Sequence, residues 1–293
     1  MKEKIEFIIV KFFLLLAKVL PKYILYKLFH YLTLLVYHLD KKRRELTKSN
    51  LKMSYPDLSP KEVDRLSKDV YVELSKTITE IVLMFVDRFD IDEAIINRDE
   101  AISKIGELLE QKGDRGLIAI TAHFSNWELL AQFLAKHGLK MLAVGREGNN
   151  KLIEEQITTP FRRKYGNDTV YKHKAMMAMV KRLKKGDNVG ILIDQKAGAK
   201  NSVLVDFFAQ KAETTTSVAM LQVKFDALVI PFFVARVEDG RYKIVMKEPI
   251  PLECRDNSIE CMERLSLSYN RVMEEIINEY PAQWFWMHNR WRR

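Results

Sequence analysis

Gly116-Leu-Ile-Ala-Ile120, running into Thr121-Ala-His-Phe-Ser-Asn-Trp-Glu128, is the stretch that decides how this chain is read. The apolar run is short, partly β-branched and preceded by Gly113-Asp-Arg115, the pattern of a buried strand. Ser125 and Asn126 are residue types that cap helix N-termini, and Leu129, Leu130, Phe133 and Leu134 continue at helical spacing. His123 therefore stands where a strand ends and a helix begins. A rigid strand can hold a catalytic group there, and a helix N-terminus favours developing negative charge.

A His takes a proton from an alcohol near neutral pH, since its ordinary pKa is about 6.5. A carboxylate such as Glu128, five positions on, can fix the tautomer and stabilise the imidazolium. No Gly-x-Ser-x-Gly elbow occurs, and Ser125 is not placed as a nucleophile. The chemistry that fits is direct attack of a substrate hydroxyl on an activated acyl group. The spacing alone favours a half-buried His bonded to backbone, with Glu128 a solvated helix residue.

Outward from this centre, strand patterns fall near 116–121, 141–144, 189–193, 227–235 and 241–247. Helix patterns fall near 127–137, 150–165, 174–185, 215–225 and 258–280. Such alternation predicts an α/β fold, a central mixed sheet flanked by helices. The 293 residues divide into N-terminal membrane-associating helices over 1–39 and one larger domain over 40–293. Within the latter, 40–110 is a helical lead-in, 111–250 the α/β core, and 251–293 a C-terminal helix with an aromatic and basic tail.

A net charge of +9 favours anionic partners. The basic residues are scattered rather than striped with aromatics, which argues against nucleic acid. Cys254 and Cys261 lack metal-ligand spacing. One disulfide is compatible with them but unneeded, and reduced thiols are expected. No zinc motif, P-loop or dinucleotide fingerprint occurs, so neither metal nor cofactor is expected.

Ile5 to Leu39 is strongly apolar but interrupted by Lys11, Lys18, Lys22 and Lys27. No uncharged run reaches the roughly 18 residues of a confident span. Lys4, Lys11 and Lys18 recur every seven residues on one helical side, opposite Ile9, Phe13, Leu16 and Leu20. The pattern predicts an interfacial helix whose lysines reach lipid phosphates, with a single tilted span as the alternative. Pro21 redirects the chain. The cluster Asp40-Lys-Lys-Arg-Arg44 then favours the cytoplasmic face.

Arg146 follows Met141-Leu-Ala-Val144. It suits a substrate phosphate or an oxyanion, and equally a surface loop. Asp194, ending Val189-Gly-Ile-Leu-Ile193, could orient Arg146 or another base, or cap a loop. Thr214-Thr-Thr216 reads first as a helix cap, secondarily as a cradle for a phosphate or sugar oxygen. Arg236 ends a very apolar strand. Trp284, Trp286 and Trp291 suit packing or a membrane boundary. The basic runs at 162–164 and 181–185 read as solvated faces, or as surfaces for an acidic protein or for lipid phosphates.

His123-Phe-Ser-Asn-Trp-Glu128 resembles the His-x4-Glu signature of the lipid A late acyltransferases, the Kdo2-lipid IVA acyltransferase family. Val144-Gly-Arg146, Asp194-Gln195, Val205-Asp-Phe-Phe208 with Thr214-Thr-Thr216, and Ile230 to Arg236 resemble further family blocks in order. So does the tail Pro281-Ala-Gln-Trp-Phe-Trp-Met-His288-Asn-Arg-Trp-Arg. Asn50-Leu51 and Tyr55-Pro56 match weakly. The family often has Gly where Ser125 and Ala209 stand, and an acidic residue in place of Lys196.

The resemblance implies an O-acyltransferase at the cytoplasmic face of a bacterial inner membrane. It implies a thioester on acyl carrier protein as donor and co-substrate. The implied acceptor is the 3-hydroxyl of a hydroxyacyl chain on a Kdo-lipid A precursor. In that reading His123 is the base and Glu128 its orienting partner. Arg146, Asp194, Asn126, Thr214, Thr215 and Arg236 are candidates for binding substrate or the oxyanion. Acylation of another membrane glycolipid or a lysophospholipid, and a non-catalytic membrane-binding homologue, are the alternatives.

Overall fold

A computed structural model describes residues 2–145, 148–171 and 174–291. Pro21 divides the N-terminal apolar segment into α1 (Lys2–Val19) and α2 (Lys22–Leu39). Two more helices follow, α3 (Lys41–Ser54) and α4 (Pro60–Phe85). Asp40 caps α3 by accepting from the Arg43 N–H. Ser59 and Glu62 form a reciprocal capping box at α4, with Pro60 where its missing N–H costs nothing. α5 (Arg98–Lys112) then leads to the sheet.

The core alternates β1 (Leu117–Thr121), α6 (Trp127–Lys136) and β2 (Leu142–Gly145). Next come α7 (Lys151–Ile153), a π-helical turn (Glu154–Thr158) and α8 (Thr159–Arg163), where the sequence predicts one unbroken helix. β3 (Asp168–Tyr171), α9 (Ala175–Leu183) and β4 (Asn188–Leu192) follow. A separate antiparallel hairpin, β5 (Ser202–Phe207) and β6 (Gln210–Thr215), precedes α10 (Ser217–Phe225). β7 (Leu228–Glu238), β8 (Arg241–Met246) and α11 (Ile259–Glu279) complete the elements.

The main sheet has the order β3-β2-β4-β1-β7-β8. Its pairings are parallel except β7 with β8, so it is mixed as expected. β1 lies between two parallel neighbours and is covered on both faces, which is why its sequence is a continuous apolar run. Alternate side chains part accordingly. Ile118 and Ile120 join the cluster under α9, α10, α11 and the tail, while Leu117 and Ala119 join the one under α5 and α6. Each large side chain so buried contributes about 1.5–3 kcal/mol.

β1 and β4 are neighbours whose onward connections leave on opposite faces. α6 packs in one cluster, and α10, beyond the hairpin, in the other. The crevice beyond the carboxyl ends of such strands is where open α/β sheets place their sites. Here His123 stands two residues past β1 and Asp194 two past β4, with the Ile193 N–H donating to Thr121 O.

Among the described residues no helix is long and apolar enough to cross a membrane, so the single-span alternative has no support. α1 and α2 instead fold against the body. Ala17, Leu25 and Leu83 form a small core, and Arg88 donates to Ala17 O and Leu20 O, satisfying the end of α1. The outward face of α1 differs from the expected one. Phe13 rests on Phe29 at 5.8 Å and Leu20 joins the small core, because α2 and α4 cover that side. Ile5, Ile8, Ile9, Phe12, Leu15 and Val19 are exposed, at helical spacing and alongside Lys4, Lys11 and Lys18.

Cys254 and Cys261 are joined by a disulfide, against the expectation of free thiols. The loop before α11 turns back so that the cysteine Cα atoms lie 5.8 Å apart, with Ser258 capping the helix between them.

Candidate active site

His123 and Asp194 are brought together. Nδ1 of His123 is 2.9 Å from Oδ1 of Asp194, and Oδ2 accepts the Trp284 indole N–H at 2.9 Å. Asp194 is 2% exposed. Burial alone would raise its pKa, but the His123 charge and hydrogen bond, with the Trp284 hydrogen bond, hold it below the ordinary carboxylate value. Burial likewise opposes the imidazolium. The Asp194 charge and hydrogen bond, with the field of Glu128, outweigh it and leave His123 raised. The other ring nitrogen, Nε2, has Gln195 Nε2 at 3.5 Å, a long contact. His123 lines a crevice with Val70 and Leu74 of α4, Trp127, Phe285 and Met287.

Glu128 does not hydrogen-bond to His123. Its carboxylate takes Nε and Nη2 of Arg162 on α8, the latter at 2.6 Å. The helix projects Glu128 towards α8, whereas the strand-end Asp194 comes from the neighbouring strand. The carboxylate that meets His123 Nδ1 is that of Asp194, and the Glu128 charge contributes to raising His123. Asp194 accordingly spends both oxygens on His123 and Trp284. Arg146, its expected partner, lies outside the described residues.

The C-terminal tail fastens the His123 turn. The Ser125 N–H donates to Gln283 O, and the Phe285 N–H donates to His123 O, so the tail pairs with the turn like a strand. Gln283 also brackets the backbone of Arg236. Asn50 of α3 donates to Trp286 O and His288 O, which explains why that weakly matching position belongs to the same assembly. Asn126 caps α6 by accepting from the Leu129 N–H at 3.0 Å.

The remaining candidates are engaged elsewhere. Arg236 is buried and paired with Glu73 and Glu80, and donates to Thr77. Glu80 also takes the Tyr242 and Tyr26 hydroxyls. Burial and Glu80 raise Tyr242 well above its ordinary value, so it remains a donor. Thr214 accepts from Arg290 and Asn270, and Thr215 from the Ser217 N–H. None of the three lines the crevice at His123, although Glu73 and Thr77, which hold Arg236, do. Sequence reasoning missed Trp284 and Arg162. Trp284 carried a signal in its repeated Trp-x-Trp beside Gln283; Arg162 carried none beyond a basic run.

A larger cleft opens at Lys136, the end of α6 farthest from His123. Two of its cations are paired, Lys136 with Asp92 and Lys164 with Asp87, and Arg88 donates to backbone carbonyls.

A paired His and Asp at adjacent strand ends, with no Ser, Thr or Cys hydrogen-bonded to the imidazole among the described residues, suits proton removal from a bound hydroxyl. The profile of the family described as bacterial lipid A biosynthesis acyltransferase matches residues 2–293. The chain belongs to this family.

It is therefore an enzyme, a late acyltransferase of lipid A biosynthesis acting on a lipid A precursor. It is similar to the lipid A biosynthesis lauroyltransferase of Escherichia coli strain K12, with 29% identity over 93% of this chain and 87% of the relative. The lipid A biosynthesis acyltransferase of Haemophilus influenzae is 22% identical over 94% of this chain and 84% of the relative. The lipid A biosynthesis palmitoleoyltransferase of E. coli strain K12 is 24% identical over 86% and 79%.

Proposed function

We propose that this acyltransferase moves a fatty acyl chain from acyl carrier protein to the 3-hydroxyl of a hydroxyacyl chain on a Kdo-lipid A precursor. The observation that carries the reading is the 2.9 Å contact between His123 Nδ1 and Asp194 at neighbouring strand ends. With Nδ1–H donated to Asp194, Nε2 is the basic nitrogen. It removes the hydroxyl proton as the oxygen attacks the thioester carbonyl. The tetrahedral intermediate then expels the carrier thiolate, which takes the proton back from His123. No acyl-enzyme forms.

Arg146 and the N–H groups opening α6 favour the oxyanion in this reading. Glu128, fixed by Arg162, adds negative potential that stabilises the imidazolium. Residues 1–39 act as the membrane-associating segment and 40–293 as the acyltransferase domain. The exposed stripe Ile5, Ile8, Ile9, Phe12, Leu15 and Val19 lies in the headgroup region at the cytoplasmic face, with Lys4, Lys11 and Lys18 reaching anionic phosphates. That attachment is interfacial, and it brings the crevice to a lipid acceptor.

The test is mass spectrometry of a tetra-acylated Kdo-lipid A precursor incubated with the enzyme and acyl carrier protein carrying mixed chain lengths. Gain of one acyl mass with wild type and none with His123→Ala is expected. Gain with both would overturn the role of His123. Gain only on a lysophospholipid or another glycolipid would overturn the acceptor.

A further inference from the structure

A second cavity, of about 610 Å³, opens farther along the tail than the crevice at His123. Its walls are the loop 196–199, Glu213 on β6, and His288 and Asn289. That volume is within the range of small-molecule sites. The crevice has the apolar Val70, Leu74, Phe285 and Met287 on its walls, beside Glu73 and Thr77. The cavity has charged and polar side chains around a stretch of small residues, Ala197-Gly-Ala199.

His123 adjoins both spaces. Its Nε2 lies 3.5 Å from Gln195 Nε2, and the next residue, Lys196, lines the cavity. On the tail, the Phe285 N–H donates to His123 O, and His288, which follows Met287, lines the cavity. The Lys196 N–H donates to His288 Nε2 at 3.1 Å and closes the ring. An acceptor hydroxyl on an acyl chain is only a few bonds from the sugar that carries the chain. With that hydroxyl at His123 Nε2, the sugar must rest close by, in a space both wider and more polar than the crevice.

The charges beside the cavity favour an acidic sugar. Lys196 and Glu213 pair at 2.8 Å, each about one quarter to one third exposed. Arg290 donates to Glu213 O at 2.6 Å, and Arg43 of α3 donates to Met287 O at 3.0 Å. Asp40 takes the Arg43 backbone N–H rather than its guanidinium. Among the described residues no carboxylate ion-pairs with Arg43 or Arg290, so Lys196, Arg43 and Arg290 outnumber the Glu213 carboxylate. His288 accepts with Nε2, which leaves Nδ1 as a donor. Asn289 is exposed and offers both an amide donor and an acceptor.

We propose that this cavity is the subsite for an acidic sugar of the acceptor headgroup. Lys196 and Arg43 meet a carboxylate or phosphate on that sugar, and Asn289 and Glu213 meet its hydroxyls. The apolar crevice is left to the hydrocarbon, so the reacting hydroxyl lies at the junction of the two. The inference rests on the glycolipid acceptor proposed above.

The test reads binding apart from turnover. The full chain carrying His123→Ala, in detergent, is titrated calorimetrically with the fully deacylated saccharide of the Kdo-lipid A precursor. Saturable binding is expected, weakened about tenfold by Lys196→Gln or Arg43→Gln and retained in Lys196→Arg. Saccharides lacking Kdo or lacking phosphate identify the acid that is held, and one of them should bind about tenfold more weakly. In turnover with His123 intact, Lys196→Gln and Arg43→Gln should raise KM for the acceptor, with kcat and the donor KM little changed.

No saccharide binding, or equal binding by both neutral variants, would overturn the subsite. So would binding indifferent to both acids. A raised donor KM beside an unmoved acceptor KM would overturn it too, and would assign the cations to the carrier protein. Weakened saccharide binding in the variants, beside a wild type that acylates nothing, would sink the proposed reaction and leave the saccharide site standing.

Discussion

Trp284 donates its indole N–H to the carboxylate oxygen of Asp194 that does not meet His123, at 2.9 Å. The buried carboxylate is thereby held by two donors and has one orientation. That arrangement fixes the His123 tautomer with Nδ1 protonated and Nε2 available.

Asp194→Asn should retain the shape of the site and lose its function. The amide favours the wrong tautomer, and kcat should fall by about 10³- to 10⁴-fold, with a much smaller change in KM. Steady-state kinetics with the acyl donor varied would check this. Equal losses in kcat and kcat/KM are the expected signature of a contact made only in the transition state.

The raised His123 pKa sets the sign of two pH effects. Activity needs the neutral ring, so the acid limb of kcat/KM should lie above about 6.5. Stability runs the other way. The imidazolium–carboxylate contribution is fully present below about 6.5 and is lost as pH rises through the folded value. The depressed Asp194 contributes stability above about 3.9, lost as pH falls through its folded value. Urea unfolding of wild type and His123→Gln across pH 5–8 should show the wild-type advantage shrinking as pH rises.

Glu80→Ala should be severely destabilising. Glu80 is 0% exposed and gathers Arg236, Tyr242 and Tyr26. Its removal takes one of two carboxylates from the buried Arg236, leaving Glu73, and strips the Tyr242 and Tyr26 hydroxyls of their acceptor, at a cost of about 3–5 kcal/mol. A drop in Tm of several degrees, with Tyr242→Phe costing less, is expected.

Ser125→Gly and Ala209→Gly should each raise Tm. Ser125 has φ of 50° and a buried hydroxyl without a partner among the described residues, and Ala209 has φ of 53°. Left-handed backbone costs a non-glycine residue about 1 kcal/mol that glycine avoids. Differential scanning calorimetry of the two variants checks the direction.

The site was half legible in the sequence. His123 declared itself because an apolar strand run meets a helix cap beside it, and Asp194 because it ends another such run. Their partnership was not legible. A separation of 71 positions carries no periodic trace of a contact made across neighbouring strands, so the sequence points to the nearer Glu128 as the orienting group. The mixed sheet followed from the apolar runs, yet β3 escaped because Asp168-Thr-Val-Tyr171 is a short, partly polar edge strand. The β5–β6 hairpin escaped because Phe208 and Ala209 occupy its turn with positive φ, where Asn-Gly is the usual signal. Phe208 is held there by Trp286 and Trp291, a tertiary reason invisible to local pattern. Trp284 looked like packing since an indole's single donor cannot be matched to its acceptor from sequence.

His123, Asp194 and Trp284 emerge from the ribosome in that order. Gln283 and Phe285 pair with the His123 turn only after nearly all of the sheet has been made. Until they arrive, the turn lacks its backbone partners and Asp194 lacks its second donor. The last-made stretch of the site thus supplies contacts that no strand of the sheet replaces: the backbone partners of the His123 turn and the second donor to Asp194.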